Sequence, residues 1–150
     1  MRISVVLLIA LAFVPVSCTL KQFERAYKST ISVDEALVQK EALDSSDNPA
    51  RKYEITSDLS GKMISVKDIV VKDIVPASDI DYQFCVLSEM QTPKGVVEFY
   101  IYSRDVSVIA KLEKGKSRIQ VLGDFRRFFT LLDATFVKID IGDADITIIQ

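Results

Sequence analysis

The chain has 150 residues, which suits one domain behind a targeting segment. Its 19 basic and 21 acidic residues give a formal net charge of −2, a poor balance for a general binder of phosphate backbones. It contains no histidine, which excludes Ser-His-Asp and Cys-His catalysis and removes the commonest transition-metal ligand. Its two cysteines, Cys18 and Cys85, form no CxxC pair.

Met1-Arg2 is a minimal positive start, and Ile3 to Val14 is apolar apart from Ser4. A run of this length fits a signal peptide and is short for a bilayer span. It ends in Pro15-Val16-Ser17-Cys18, where a small residue before Cys resembles a lipobox. This predicts a signal over 1–17, lipid on Cys18 and a tether over 18–30. Pro15 stands near the position where leucine is usual, so ordinary cleavage after Cys18 and an uncleaved anchor stay open as alternatives. Loss of the signal removes Arg2 and no acid, moving the formal charge from −2 to −3. A lipidated Cys18 cannot bridge Cys85, which then reads as a small buried hydrophobe. Without lipid, a Cys18–Cys85 disulfide remains an alternative.

Ser32-Val33-Asp34-Glu35 is a capping box and predicts a helix to Leu43. Asn48-Pro49 opens a second helix, which Gly61 is expected to close in a left-handed conformation. From Met63 to Val75 the chain turns rich in Val and Ile. It repeats itself there, as Val66-Lys67-Asp68-Ile69-Val70 and Val71-Lys72-Asp73-Ile74-Val75. A five-residue step is odd, so the two copies face opposite sides of a strand unless a bulge restores the phase. The expectation is one long curved strand with a bulge near Asp68.

Further strands are expected over Tyr82–Leu87 and Val96–Tyr102, joined by a Thr92-Pro93-Lys94-Gly95 turn. In the second of them Val97, Phe99 and Ile101 share the inner face, opposite Glu98, Tyr100 and Tyr102. A helix over Asp105–Lys114 follows, then a strand from Arg118 to Leu122 and beyond. Strands over Phe136–Ile141 and Asp145–Ile149 complete the chain. Three strands, a helix and two strands is the order of an OB-type Greek-key barrel. The predicted class is therefore mainly β with N-terminal helices, an OB-fold domain spanning 31–150.

Ser32-Val33-Asp34-Glu35-Ala36-Leu37, Gly61-Lys62, Leu112-Glu113-Lys114-Gly115 and Val121-Leu122-Gly123 carry a resemblance. Over residues 30 to 149 the chain resembles the tRNA-anticodon-binding-like family of OB-fold domains in bacterial lipoproteins and exported proteins. The resemblance implies the barrel fold and no settled activity. It also implies glycine inside the first barrel strand, where this chain has Asp68.

Asp140, Asp143 and Asp145 have neither EF-hand spacing nor a bidentate Glu, and read as a polar turn. Lys111, Lys114, Lys116 and Arg118 read as cations at a helix end. Tyr100 and Tyr102 read as outer-face aromatics covered by the N-terminal helices. Phe125-Arg126-Arg127-Phe128-Phe129-Thr130-Leu131-Leu132 reads as the loop joining the last two strands. Its aromatic and arginine content suits a binding site. Strict alternation there turns Phe125 and Arg127 inward and leaves Phe128 exposed beside Arg126; because a buried unpaired arginine is costly, a bulge or turn near Arg126-Arg127 is expected.

No catalytic residue, metal or cofactor is expected. The functional expectation is a non-catalytic, lipid-anchored envelope module facing the periplasm. It binds a protein or envelope glycan through Phe125, Arg126, Arg127, Phe128, Tyr100 and Tyr102. The alternative is an OB-fold binder of single-stranded nucleic acid.

Overall fold

A computed structural model describes residues 24–129 and 136–149. The signal, Cys18 and the segment Thr130–Asp133 lie outside the described residues.

The element order is β1 (Thr30–Ser32), α1 (Val33–Ser45), α2 (Pro49–Ser60), β2 (Met63–Pro76), β3 (Phe84–Thr92), β4 (Gly95–Tyr102), α3 (Val106–Ile109), β5 (Arg118–Phe129) and β6 (Phe136–Ile149). Strands pair in the order β2-β3-β4-β6-β5, and β5 returns to β2, closing a five-stranded barrel. All these pairings are antiparallel except β4 with β6. The architecture is a mixed OB-type barrel, with β1 added parallel to the start of β2.

Alternation along the strands builds the core. Val97, Phe99 and Ile101 of β4 are buried together with Ile119, Val121 and Phe125 of β5 and Ile139 and Ile141 of β6. Ala36 and Leu37 of α1 and Leu59 of α2 join the same cluster, as do Ile109 at the end of α3 and Leu112 beyond it. The capping box forms as expected: Glu35 N–H donates to Ser32 Oγ at 3.2 Å, and Ser32 N–H donates to the Glu35 carboxylate at 2.7 Å. Asn48 Oδ1 accepts from Ala50 N–H at 2.9 Å at the start of α2.

Asp68 takes φ +57, and the β2–β5 register shifts between Val66 and Ile69. That is the bulge expected near Asp68. A second shift, between Val71 and Asp73, occurs against β3. The two copies are therefore not in opposite phase: Val66 and Val71 both face the interior, fully buried. The aspartate of each copy pairs outward, Asp68 with Arg118 and Asp73 with Lys114 at 3.0 Å.

Four expectations need correction. Gly61 sits at φ −82 in the right-handed region, so α2 closes without a left-handed residue. The helix over 105–114 shrinks to Val106–Ile109. Beyond it, Lys111 and Leu112 N–H donate to carbonyls only three residues back, a tighter turn than an α-helix. β3 starts at Phe84 and continues to Thr92. Finally, β6 runs unbroken through the predicted turn, with Asp143 at φ +43. Gly123 makes this close pairing feasible: a Cβ there would lie 2.5 Å from Ile141 Cγ2 and 2.9 Å from the Gly142 carbonyl oxygen.

Candidate functional site

The outer wall of β3, β4, β6 and β5 gathers the chemistry. Register alone dictates its rows: Leu87 opposes Tyr100, Tyr100 opposes Asp140, and Asp140 opposes Arg127. One step along, Glu89 opposes Glu98, Glu98 opposes Lys138, and Lys138 opposes Phe129.

Side chains in these rows neutralise one another. Arg127 Nε donates to Asp140 Oδ2 at 2.9 Å, and its guanidinium lies 4.1 Å from the Phe129 ring centroid. Tyr100 meets Phe129 edge-on at 6.1 Å. Lys138 bonds Glu98 at 2.8 Å and donates to the Tyr100 hydroxyl at 3.2 Å. Lys72 pairs with Glu89 at 2.7 Å.

A second cluster adjoins the first. Tyr82 and Tyr102 rings lie 5.4 Å apart, and Arg126 stands 5.8 Å from both centroids. Arg104 lies 5.0 Å from the Tyr82 ring and bonds Asp143 Oδ1 at 2.7 Å. Arg126 Nη1 donates to Asp79 Oδ2 at 2.6 Å. Gly142 makes room for that arginine, since a Cβ there would meet Arg126 Cδ at 2.6 Å.

These arginines pin the β2–β3 loop. Asp81 N–H donates to Asp79 Oδ1 at 3.0 Å, and Arg104 Nη1 to the Asp81 carbonyl at 3.5 Å. At the tip between those anchored aspartates, Ile80 is fully exposed, at 101% of its reference area.

Titration behaviour follows burial. Desolvation raises the Asp140 carboxyl above its ordinary range, against the stabilising bond from Arg127. Desolvation also pushes Tyr102 up to about 12 and its neighbour Cys85 up to about 11. Asp79 is held below the usual carboxylate range, first by the Asp81 backbone bond and then by Arg126.

Of the residues expected at the site, Tyr100, Tyr102, Arg126 and Arg127 do converge on one face. Phe125 and Phe128 do not. Phe125 is buried, and Phe128 packs edge-on against it at 4.8 Å, against the core and not exposed as alternation predicted. The cause is the bulge expected near Arg126-Arg127: a register shift between Phe125 and Arg127 sends both arginines outward and turns Phe128 back in. Phe125 to Phe129 is strand and not the loop the sequence suggested, and Thr130 to Leu132 lie outside the described residues. The cover over the tyrosines also differs from expectation, being Arg126, Phe129 and Lys138 in place of the N-terminal helices.

Asp140, Asp143 and Asp145 separate onto different arginines: Arg127, Arg104 and Arg25. No group of potential metal ligands assembles among the described residues. Of the basic run, Lys116 pairs with Glu113, Lys114 with Asp73 and Arg118 with Asp68. Sequence reasoning missed Asp79, Ile80, Arg104 and Lys138, while Phe129 was part of the aromatic and arginine segment it singled out. Only Asp79-Ile80-Asp81-Tyr82, an apolar residue framed by turn-forming acids, carried a readable signal.

No described helix is long and apolar enough to cross a membrane. The chain matches no family model, no curated protein and no solved structure.

Proposed function

We propose that this chain is a non-catalytic binding module of the bacterial cell envelope, lipid-anchored through Cys18 and facing the periplasm. Within that reading it is a member of the tRNA-anticodon-binding-like OB family, and its ligand is a protein. The carrying observation is Ile80, wholly exposed on a loop held in place by Arg104 and Arg126 beside Tyr82. A fixed aliphatic tip rimmed by Arg and Tyr has the composition of an interface hot spot. Pre-anchoring the loop lowers the ordering cost of association. A phosphate backbone finds little there, because Asp79, Asp140, Asp143, Glu89 and Glu98 already claim the nearby cations.

The test is crosslinked capture from envelope extracts by the lipidated protein, with Ile80→Asp as the comparison. Loss of a hot-spot anchor costs about 2 kcal/mol or more, so the captured partner should fall at least about thirtyfold in affinity. Unchanged capture would refute this surface. Oligonucleotide anisotropy at physiological salt should give no binding tighter than roughly the 10⁻⁴–10⁻⁶ M non-specific range. Tight binding with a steep salt slope would establish the nucleic-acid alternative.

A further inference from the structure

Asp140 stands at the centre of the outer wall, and it is only 2% exposed. Its Oδ2 accepts from Arg127 Nε, while its Oδ1 accepts no bond from any described residue. A buried carboxylate oxygen without a donor is costly and calls for a physical account. The Asp140–Arg127 pair is also lopsided. The aspartate side chain is 2% exposed and the arginine side chain 63%. The carboxylate is held by a strand laddered on both sides, to β4 and to β5. The guanidinium instead follows the bulge near the end of β5 and contacts Oδ2 through Nε alone, without the two-point fork that arginine makes with a fully engaged carboxylate. Beneath it lies the Phe129 face, with Tyr100 edge-on to that ring.

A buried acceptor beside an aromatic face is the environment that binds a guanidinium. Here the chain's own exposed arginine occupies it. The neighbouring cations are committed elsewhere, Arg126 to Asp79 and Lys138 to Glu98. Exchange of one guanidinium for another conserves the ion pair, and a two-point incoming group also satisfies Oδ1.

We propose that Asp140, Phe129 and Tyr100 form a recognition site for an arginine side chain of a protein partner, which Arg127 fills in the free protein and vacates on binding. That the arginine comes from a protein rests on the function proposed above; the site itself does not. An internal competitor weakens a small ligand by a factor set by its effective concentration, so removing it tightens binding.

The test titrates the full chain with N-acetyl-arginine amide, following Tyr100 and Phe129 resonances by NMR, with N-acetyl-citrulline amide as the neutral isostere. Arg127→Gln should tighten the arginine probe at least about fivefold over the wild type and leave citrulline unbound. Adding Asp140→Asn to Arg127→Gln should abolish the gain. Equal affinity in wild type and Arg127→Gln overturns the proposal, as does equal binding of citrulline. Those two outcomes stand on Arg127→Gln alone, whether or not the double variant folds. The probe requires no partner, so failure here is distinct from failure of the envelope capture.

Discussion

The two faces of β4 obey different rules. Inward, Val97, Phe99 and Ile101 are almost wholly excluded from solvent and surrounded by carbon. Outward, Glu98, Tyr100 and Tyr102 are covered by charged groups that cancel: Lys138 over Tyr100, Arg126 over Tyr102, and Lys138 on Glu98. The inner face draws its stability from non-directional burial. The outer face uses directional pairs, each of modest energy. The wall of the barrel is thus carbon-packed on one side and ion-paired on the other.

The largest effect should separate the two faces directly. Phe99→Ala removes a fully buried ring and should cost about 3–5 kcal/mol, a large share of a small domain's stability. Tyr100→Ala, one residue away, loses a half-buried ring that contacts Phe129 and Lys138, and should cost about 1–2 kcal/mol. Thermal unfolding of the pair measures the contrast. Equal losses would mean that the outer face is packed like a second core.

Cys85 and Tyr102 blur the contrast, because they point outward yet are buried. Burial moves the Cys85 thiol from 9.0 to about 11. The native state therefore holds this proton where the unfolded chain releases it. Stability is unaffected below pH 9, falls as pH rises from 9 toward about 11, and levels off for this group beyond. The loss should be on the order of 3 kcal/mol, with Tyr102 adding to it at the upper end of that range. Denaturant unfolding against pH checks the slope, and Cys85→Ala should flatten it between pH 9 and 10. An unchanged slope would place the alkaline transition elsewhere.

The inner face was legible in the sequence because a period of two leaves little freedom: Val97, Phe99 and Ile101 were identifiable from alternation alone. The barrel order followed from the spacing of strands and one intervening helix. The outer face was legible only in part. Tyr100 and Tyr102 could be placed on it, but the partners crossing from β5 and β6 depend on bulges. Alternation through Phe125-Arg126-Arg127-Phe128 points the wrong arginine inward; the cost of burying Arg127 announced a bulge there, but not that its one-residue shift would also turn Phe128 back in. Asp140, Asp143 and Asp145 looked like one cluster because no local pattern announces that a strand continues through them. Gly123, on the neighbouring strand, is what admits that continuation, and its fit against Ile141 and Gly142 is a tertiary fact.

The smallest expected effect concerns the two copies of Val-Lys-Asp-Ile-Val, identical in sequence and different in backbone. Asp68 holds φ +57, a conformation in which glycine loses nothing and most residues are strained. Asp73 is not in that region, and its Oδ1 accepts from Ile74 N–H at 2.9 Å while Oδ2 takes Lys114. Asp68→Gly exchanges an exposed pair with Arg118, worth about 0–1 kcal/mol, for relief of the left-handed strain. Those contributions oppose, so the net change should stay within about 0.5 kcal/mol. Asp73→Gly has no such offset: it loses the Lys114 pair and the bond to Ile74, and it adds the entropy cost of glycine in a strand. It should destabilise by about 1 kcal/mol. Side-by-side urea midpoints resolve the difference, and the same two substitutions to Ala should reverse the order, because Ala gains nothing from a left-handed site. If both glycine variants lose stability equally, the bulge at Asp68 is not what brings the second copy into phase with the first.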